Sequence, residues 1–123
     1  MRNTDFVSTV FDGPDKPNKA TIAFTMSLAA LKKGHSCTVI LMGDASHYAK
    51  AGVADGIHIG EPFAALATLM QEFIELGGQI VGCKSCIIHQ GIQLDDVQPE
   101  YEVITAPDVV DLLMASKGSL QLT

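Results

Sequence analysis

The chain has little charge, and most of the charge it has is negative. Only 18% of its 123 residues are Asp, Glu, Lys or Arg, against about 25% in an average soluble domain. Fourteen acidic and eight basic side chains give a formal net charge of -6, and the basic residues form no run. Nucleic acid is therefore not a predicted partner. Because so few charges leave much of the surface apolar, we expect a homo-oligomer.

Long apolar segments are missing as well. Residues 1–8 lack the hydrophobic stretch of a secretory signal, and no later apolar run approaches the roughly 18 residues of a membrane helix. We therefore predict no membrane partner. Three cysteines are too few to suggest a disulfide framework, so we expect a cytoplasmic protein whose thiols are free, catalytic or metal-bound.

What the chain does have is a regular alternation of strand and helix patterns. At 123 residues it is long enough for one core, so we predict one domain, 1–123. The alternation predicts the α/β class: a single doubly wound domain with a mostly parallel sheet of about five strands and helices on both faces. The predicted strands are 6–11, 37–42, 79–82, 102–105 and 119–122, and the predicted helices are 18–33, 61–76 and 107–116.

Helical spacing also predicts which residues of the helices face the core. In the first helix, one apolar face comprises Ile22, Met26 and Ala29, with Phe24, Leu28 and Leu31 beside it. In the second helix, the apolar face comprises Leu66, Leu69, Met70, Phe73 and Leu76.

Three segments follow the first three predicted strands: 12–15, 43–60 and 83–89. In sheets of this kind, ligands bind beyond the carboxyl ends of the strands, so we expect the functional site there. Segment 43–60 is a long loop with one predicted turn at 46–50, and loops of this length are more often functional than idle. Its two histidines, His47 and His58, are candidate binding residues.

The third of these segments contains two thiols three residues apart. If a helix begins after strand 79–82, Cys83 lies at the strand end and faces the exposed amides of the helix. Such thiols have pKa values of roughly 3.5 to 7.5 and are nucleophilic at neutral pH. We therefore predict Cys83 and Cys86 as catalytic residues, although either could be a small buried core group. Cys37, inside an apolar strand, is predicted to be a core residue.

Two side chains beside the thiols are candidate binding residues. Lys84 could lower the pKa of a neighbouring thiol, or simply be solvated. His89 follows Cys86 by three positions and could share its helical face, where it could polarise a thiol or bind a metal, or be a surface imidazole. His35 lies at the amino end of its strand, on the opposite edge, and is predicted to be structural.

Three segments of the chain form a distinctive set: the Ala29-Ala30-Leu31-Lys32-Lys33-Gly34-His35 helix ending, strand 39–42, and block 77–92, in which Gly91-Ile92 follows Cys83 by eight residues. With these segments, the chain resembles the DsrE/DsrF-like family of small sulfur-relay proteins over nearly its whole length. The resemblance implies a persulfide on Cys83, sulfur donor and acceptor proteins as partners, and a homo-oligomer or an assembly with paralogous subunits. Relay subunits often have arginine just before that glycine, whereas this chain has His89-Gln90.

Three function classes stay open. The first is a sulfur-relay protein, in which Cys83 holds a persulfide and Cys86 releases it by forming a disulfide. The second is a small dithiol redox protein, although the Trp and internal Pro near the thiols of thioredoxins are missing. The third is a zinc- or ligand-binding module built on Cys83, Cys86 and His89, whose fourth zinc ligand would come from Cys37, His47 or another subunit. Only three of those ligands are local, so we assign no metal ligand and no cofactor from the sequence, and metal content would distinguish this class.

Overall fold

The computed structural model describes all 123 residues and contains one five-stranded sheet. Its strands lie in the order β4-β3-β2-β1-β5, and every neighbouring pair is parallel. The predicted fold class is therefore confirmed. The strands are β1 (Phe6–Val10), β2 (Cys37–Leu41), β3 (Gln79–Cys83), β4 (Glu102–Ile104) and β5 (Gly118–Leu122). The helices are α1 (Asn18–Lys32), α2 (Leu66–Glu75), α3 (Lys84–His89) and α4 (Ala106–Ala115), with short 3₁₀ helices at Gly43–Ala49 and Leu94–Asp96.

The strand order explains why helices cover both faces of the sheet. From β1 to β4 the chain moves across the sheet in one direction, so right-handed crossovers place α1, α2 and α3 on the same face. The connection from β4 to β5 returns across the whole sheet and places α4 on the other face. Phe24 of α1 and Phe73 of α2 pack edge to face in the larger core, with ring centroids 5.6 Å apart. None of these helices is long and apolar enough to cross a membrane.

The predicted core face of α1 is wrong. Met26 is 51% exposed and Ala29 is also exposed, whereas Phe24 and Leu28 are buried. The buried row also includes Ser27, whose hydroxyl lies 2.8 Å from that of Ser8 in β1. A pattern of apolar residues does not reveal this buried face of α1, because one of its residues is a serine. Its hydroxyl can be buried because it forms a hydrogen bond with a serine of β1.

The predicted start of α2 is also wrong, because the helix begins at Leu66 rather than near Glu61. The backbone N–H groups before it bond within the preceding loop, from Phe63 to the Gly60 carbonyl and from Leu66 to the Ile57 carbonyl. Leu76 lies beyond the end of α2 and is half exposed, so it does not belong to the buried face. The other strands and helices agree with the prediction to within one or two residues at each end.

The long loop after β2 is more ordered than its sequence suggests. It begins with a 3₁₀ helix over Gly43–Ala49 in place of the turn predicted at 46–50. Gly43 has a φ of +51°, a left-handed conformation that favours glycine and lets the chain turn sharply out of β2. The N–H of Ala45 then donates to the Phe11 carbonyl (3.1 Å), which fixes this helix beside the end of β1.

Candidate functional site

Cys83 is the last residue of β3 and directly precedes α3. Its backbone is extended, with φ of -76° and ψ of 118°, so the chain turns from strand to helix immediately after it. Because side chains alternate along a strand, Cys83 is directed to the same face of the sheet as Val81, which packs in the smaller core beneath α4. The residue is only 5% exposed. The sequence therefore predicted the position of this thiol, but not how deeply it is buried.

Cys86 lies in the first turn of α3 and is more exposed than Cys83. Two neighbouring groups act on its thiol: the Cys83 thiol and the backbone amide of Gly43. Burial raises the pKa of the Cys86 thiol, and the neighbouring Cys83 adds to the rise, while the Gly43 amide acts in the opposite direction. At Cys86, desolvation outweighs the amide.

A glutamine joins α3 to the 3₁₀ helix. The side-chain amide of Gln90 donates to Asp44 Oδ1 (2.9 Å), which leaves its Oε1 to accept from His47 Nε2 (3.1 Å). Sequence reasoning missed Gln90, Asp44 and Gly43 as contributors to this site. The only signal for Gln90 was its position four residues after Cys86, one helical turn along the same face.

The other candidate residues are not in the same cluster. Lys84 and His89 are exposed, and neither forms a hydrogen bond or ion pair with another side chain. The ring of His58 bonds to the Phe63 carbonyl in its own loop (2.8 Å). The structure thus brings together Cys83 and Cys86, and links His47 to their helix through Gln90.

The three thiols occupy opposite edges of the sheet. Cys37 is the first residue of β2, whereas Cys83 is the last residue of the neighbouring strand β3. In the register of the two strands, five residue steps separate Cys37 from Cys83, or about 16 Å, so Cys37 cannot complete a metal site with Cys83 and Cys86. No three His, Cys, Asp or Glu side chains of the chain are grouped as metal ligands, so the proposed zinc set is not assembled. Burial raises the pKa of Cys37 to about 11, as expected for a core residue.

The predicted convergence of the first two loops is also found at this edge. A Cβ atom on Gly13 would lie 2.8 Å from the Asp44 carbonyl oxygen, so the loop after β1 packs closely on the 3₁₀ helix. Burial and the nearby carboxylates of Asp15 and Asp12 raise the pKa of Tyr48 to about 12. Its hydroxyl and that of Ser46 are buried without a hydrogen-bond partner.

Two pockets lie away from the thiols. One cavity of about 310 Å³ lies between α2 and the segments that contain Lys50 and Tyr101. A second, more open depression follows α3 and is lined in part by Ile88 and Leu94. None of the three cysteines lines either space.

Comparisons with known proteins agree with this architecture. The model of the DsrE/DsrF-like family matches residues 5–121. Among solved structures, the crystal structure of the YchN protein from Escherichia coli matches with a TM-score of 0.77 and 15% sequence identity, covering 96% of this chain and 98% of that one. At that identity the likeness shows the fold alone. No curated protein sequence matches the chain.

Proposed function

Because this chain belongs to the DsrE/DsrF-like family, we propose that it is a sulfur-relay protein that carries a persulfide on Cys83 and passes the sulfur to an acceptor thiol. The observation that supports the proposal most is the contact between two free thiols, Cys83 and Cys86, where β3 ends and α3 begins. A second thiol in contact gives a bound sulfur an intramolecular route of release.

Sulfur uptake in this proposal is a thiol exchange without net oxidation. The Cys83 thiolate attacks the terminal sulfur of a donor persulfide, a new S–S bond forms on Cys83, and the S–S bond of the donor breaks. The donor leaves as a thiolate, which takes up the proton that Cys83 has lost. One sulfur atom is transferred and the number of disulfide-type bonds is unchanged.

Release has two balanced routes. An external acceptor thiolate can attack the terminal sulfur, so that the acceptor becomes a persulfide and Cys83 returns to a thiolate. Alternatively, the Cys86 thiolate attacks the inner sulfur, which forms a Cys83–Cys86 disulfide and expels hydrosulfide. The second route oxidises the pair, so a dithiol reductant must restore it before another cycle.

Burial of Cys83 suggests how the sulfur is protected. A persulfide on a side chain that is 5% exposed is shielded from solvent thiols. Cys86 is the more accessible of the pair, and it lies between α3 and the 3₁₀ helix Gly43–Ala49. We therefore place the donor and acceptor proteins at this edge of the sheet, where their thiols would approach beside Cys86.

The proposal includes assembly with further copies of the chain in a reducing cytoplasm. All three cysteines are free thiols. On α4, Val110 and Met114 are 56% and 81% exposed and lie one helical turn apart, an arrangement that favours burial by another subunit. Light scattering under reducing conditions should give a mass well above 13.0 kDa, and a monomer at micromolar concentration would contradict this part of the proposal.

The chemistry is tested by intact-protein mass spectrometry after incubation with a small persulfide donor. The reduced protein should gain about 32 Da, the mass of one sulfur atom, and a reductant should remove it. Cys83→Ser should gain nothing, Cys37→Ser should behave as wild type, and in Cys86→Ser the adduct should persist longer. Unchanged uptake by Cys83→Ser would overturn the assignment. A disulfide without any sulfur gain would favour the dithiol redox alternative.

A further inference from the structure

One side of α3 faces the 3₁₀ helix Gly43–Ala49 with two residues, Cys86 and Gln90. They are one turn apart on the same side of α3, and the backbone N–H of Gln90 donates to the Cys86 carbonyl (2.9 Å). Their partners are adjacent in sequence, since Gly43 contacts the Cys86 sulfur and Asp44 accepts from Gln90. Because Gly43 and Asp44 are adjacent, a shift of the 3₁₀ helix relative to α3 would change both contacts.

The opposite side of the 3₁₀ helix is fixed to the loop after β1. The Ala45 N–H donates to the Phe11 carbonyl, and Gly13 packs against the Asp44 backbone. Toward α3, the only side-chain hydrogen bonds are the two that Gln90 makes, to Asp44 and to His47. Gln90 thus determines how closely this helix approaches the thiol pair.

We infer that Gln90 is a positioning residue: by bridging Asp44 and His47 it holds the Gly43 amide against the sulfur of Cys86. The inference rests on the proposed function, in which the Cys86 thiolate attacks the persulfide on Cys83. A hydrogen bond from a backbone N–H to a thiolate is charge-assisted and favours the ionised sulfur. It offsets part of the burial that disfavours the thiolate at this position.

Gly43 suits this role for a conformational reason. Its φ of +51° is left-handed, while a Cβ atom there would have ordinary room, with the Phe11 carbonyl oxygen 3.5 Å away. The glycine is therefore required by the direction of the backbone and not by lack of space.

Several ionisable groups lie on the two elements that face each other at Cys86. Cys83 precedes it, Lys84 and His89 lie on α3, and Asp44 and His47 lie on the facing 3₁₀ helix. The Gln90 oxygen accepts from His47 Nε2 when the ring carries its proton on that nitrogen. A change on breaking the bridge can therefore be ascribed to Gln90.

The test is the pH profile of Cys86 alkylation in the full-length protein, followed by peptide mass spectrometry so that each cysteine is measured separately. Gln90→Met keeps the length of the side chain but removes both hydrogen bonds. We expect its profile to move to higher pH and the rate near pH 8 to fall roughly three- to tenfold, as for a weakened charge-assisted hydrogen bond. In an NMR spectrum of the variant, the Gly43 amide should exchange faster with solvent.

Two control variants distinguish the positioning role of Gln90 from an effect of the Asp44 charge and from a general effect of replacing a glutamine. Gln93→Met alters an exposed glutamine just beyond α3 and should leave the profile unchanged. Asp44→Asn retains an oxygen that accepts from Gln90, so its rate should equal or exceed that of wild type because a nearby negative charge is gone. If Gln90→Met does not fold, Gln90→Glu, which cannot donate to Asp44, replaces it with the same expectation.

The inference is overturned if the Gln90 variant and wild type have superimposable profiles, or if Asp44→Asn slows alkylation as much as Gln90→Met does. Sulfur transfer is read separately: Gln90→Met should take up the same mass of sulfur but discharge it three- to tenfold more slowly. If wild-type protein takes up no sulfur, the proposed function fails while the alkylation profiles still decide the role of Gln90. If it does take up sulfur and the profiles agree, only the inference fails.

Discussion

The two edges of the sheet are both polar, but their polar groups are paired to different extents. At the amino edge, where the strands begin, side chains and backbone groups satisfy one another. The carboxyl edge, where the strands end, contains two of the three free thiols and the two unpartnered buried hydroxyls of the chain, those of Ser46 and Tyr48. The contrast indicates that the first edge stabilises the fold and that the second is available for chemistry.

Pairing at the amino edge is nearly complete. Thr38 Oγ1 lies 2.7 Å from Thr4 Oγ1 and accepts from the Gln79 amide at 2.9 Å. Asp5 accepts from the backbone of Ser36 and lies 3.5 Å from the Lys117 ammonium. The Ser36 N–H is the main reason that the pKa of Asp5 is lowered. These contacts tie the chain before β1 to the starts of β2, β3 and β5.

At the carboxyl edge, a small number of hydrogen bonds hold the loops to one another, so these loops are less firmly fixed than the amino edge. Gln90 supplies two of them, and the Ala45 N–H supplies another. Groups that are not held by partners can change protonation or form bonds to a substrate without breaking the fold. Three substitutions compare the edges directly, from the largest expected effect to the smallest.

Cys37, at the amino edge, should make the protein sensitive to alkali. Its folded-state pKa of about 11 is raised above the unfolded value of about 8.5. The resulting stability is therefore fully present below pH 8.5 and is lost as the pH rises toward 11. Urea unfolding across this range should show a loss about 3 kcal/mol larger in wild type than in Cys37→Ala. An equal loss in both proteins would show that this thiol is not buried as described.

Thr38→Val should destabilise the protein by about 1 to 3 kcal/mol, because the buried Thr4 hydroxyl and the Gln79 amide each lose a partner. Its control at the carboxyl edge is Thr9→Val. Thr9 is equally buried, but its partner Gln121 is exposed and can bond to water instead. Equal costs at the two sites, measured by urea unfolding, would remove the contrast between the edges. Sulfur uptake should be unchanged in Thr38→Val.

Tyr48→Phe should have the smallest effect. Because the hydroxyl is buried without a partner, its removal should leave stability unchanged or increase it by up to about 1 kcal/mol. Thermal or urea unfolding of the pure variant measures this directly. A loss greater than 1 kcal/mol would indicate that the hydroxyl is paired, for example through water to Asp12 or Asp15, and that the carboxyl edge is as well satisfied as the amino edge.

The fold class could be predicted from the sequence because the strand and helix periodicities, the glycines at helix ends and the continuous apolar run of β2 all indicate the same alternation of strands and helices. It located Cys83 at the end of β3 for the same reason. It failed where tertiary contacts decide: Ser27 is buried in α1 because Ser8 lies opposite, and the backbone N–H groups of Phe63 and Leu66 bond within the loop before α2, which starts at Leu66. The raised pKa of Cys86 and the bridge through Gln90 depend on packing between distant segments, which periodicity does not encode.

The central claim, that sulfur chemistry belongs to the carboxyl edge, is tested most directly by locating the bound sulfur in the unmodified sequence. The reduced protein is loaded with a persulfide donor, its thiols and persulfides are blocked with an alkylating reagent, and the peptides are quantified by mass spectrometry. The account predicts that the added sulfur, about 32 Da, is found on Cys83, with Cys37 labelled only as a thiol. Sulfur distributed onto Cys37 at the amino edge, or no sulfur on Cys83, would contradict it.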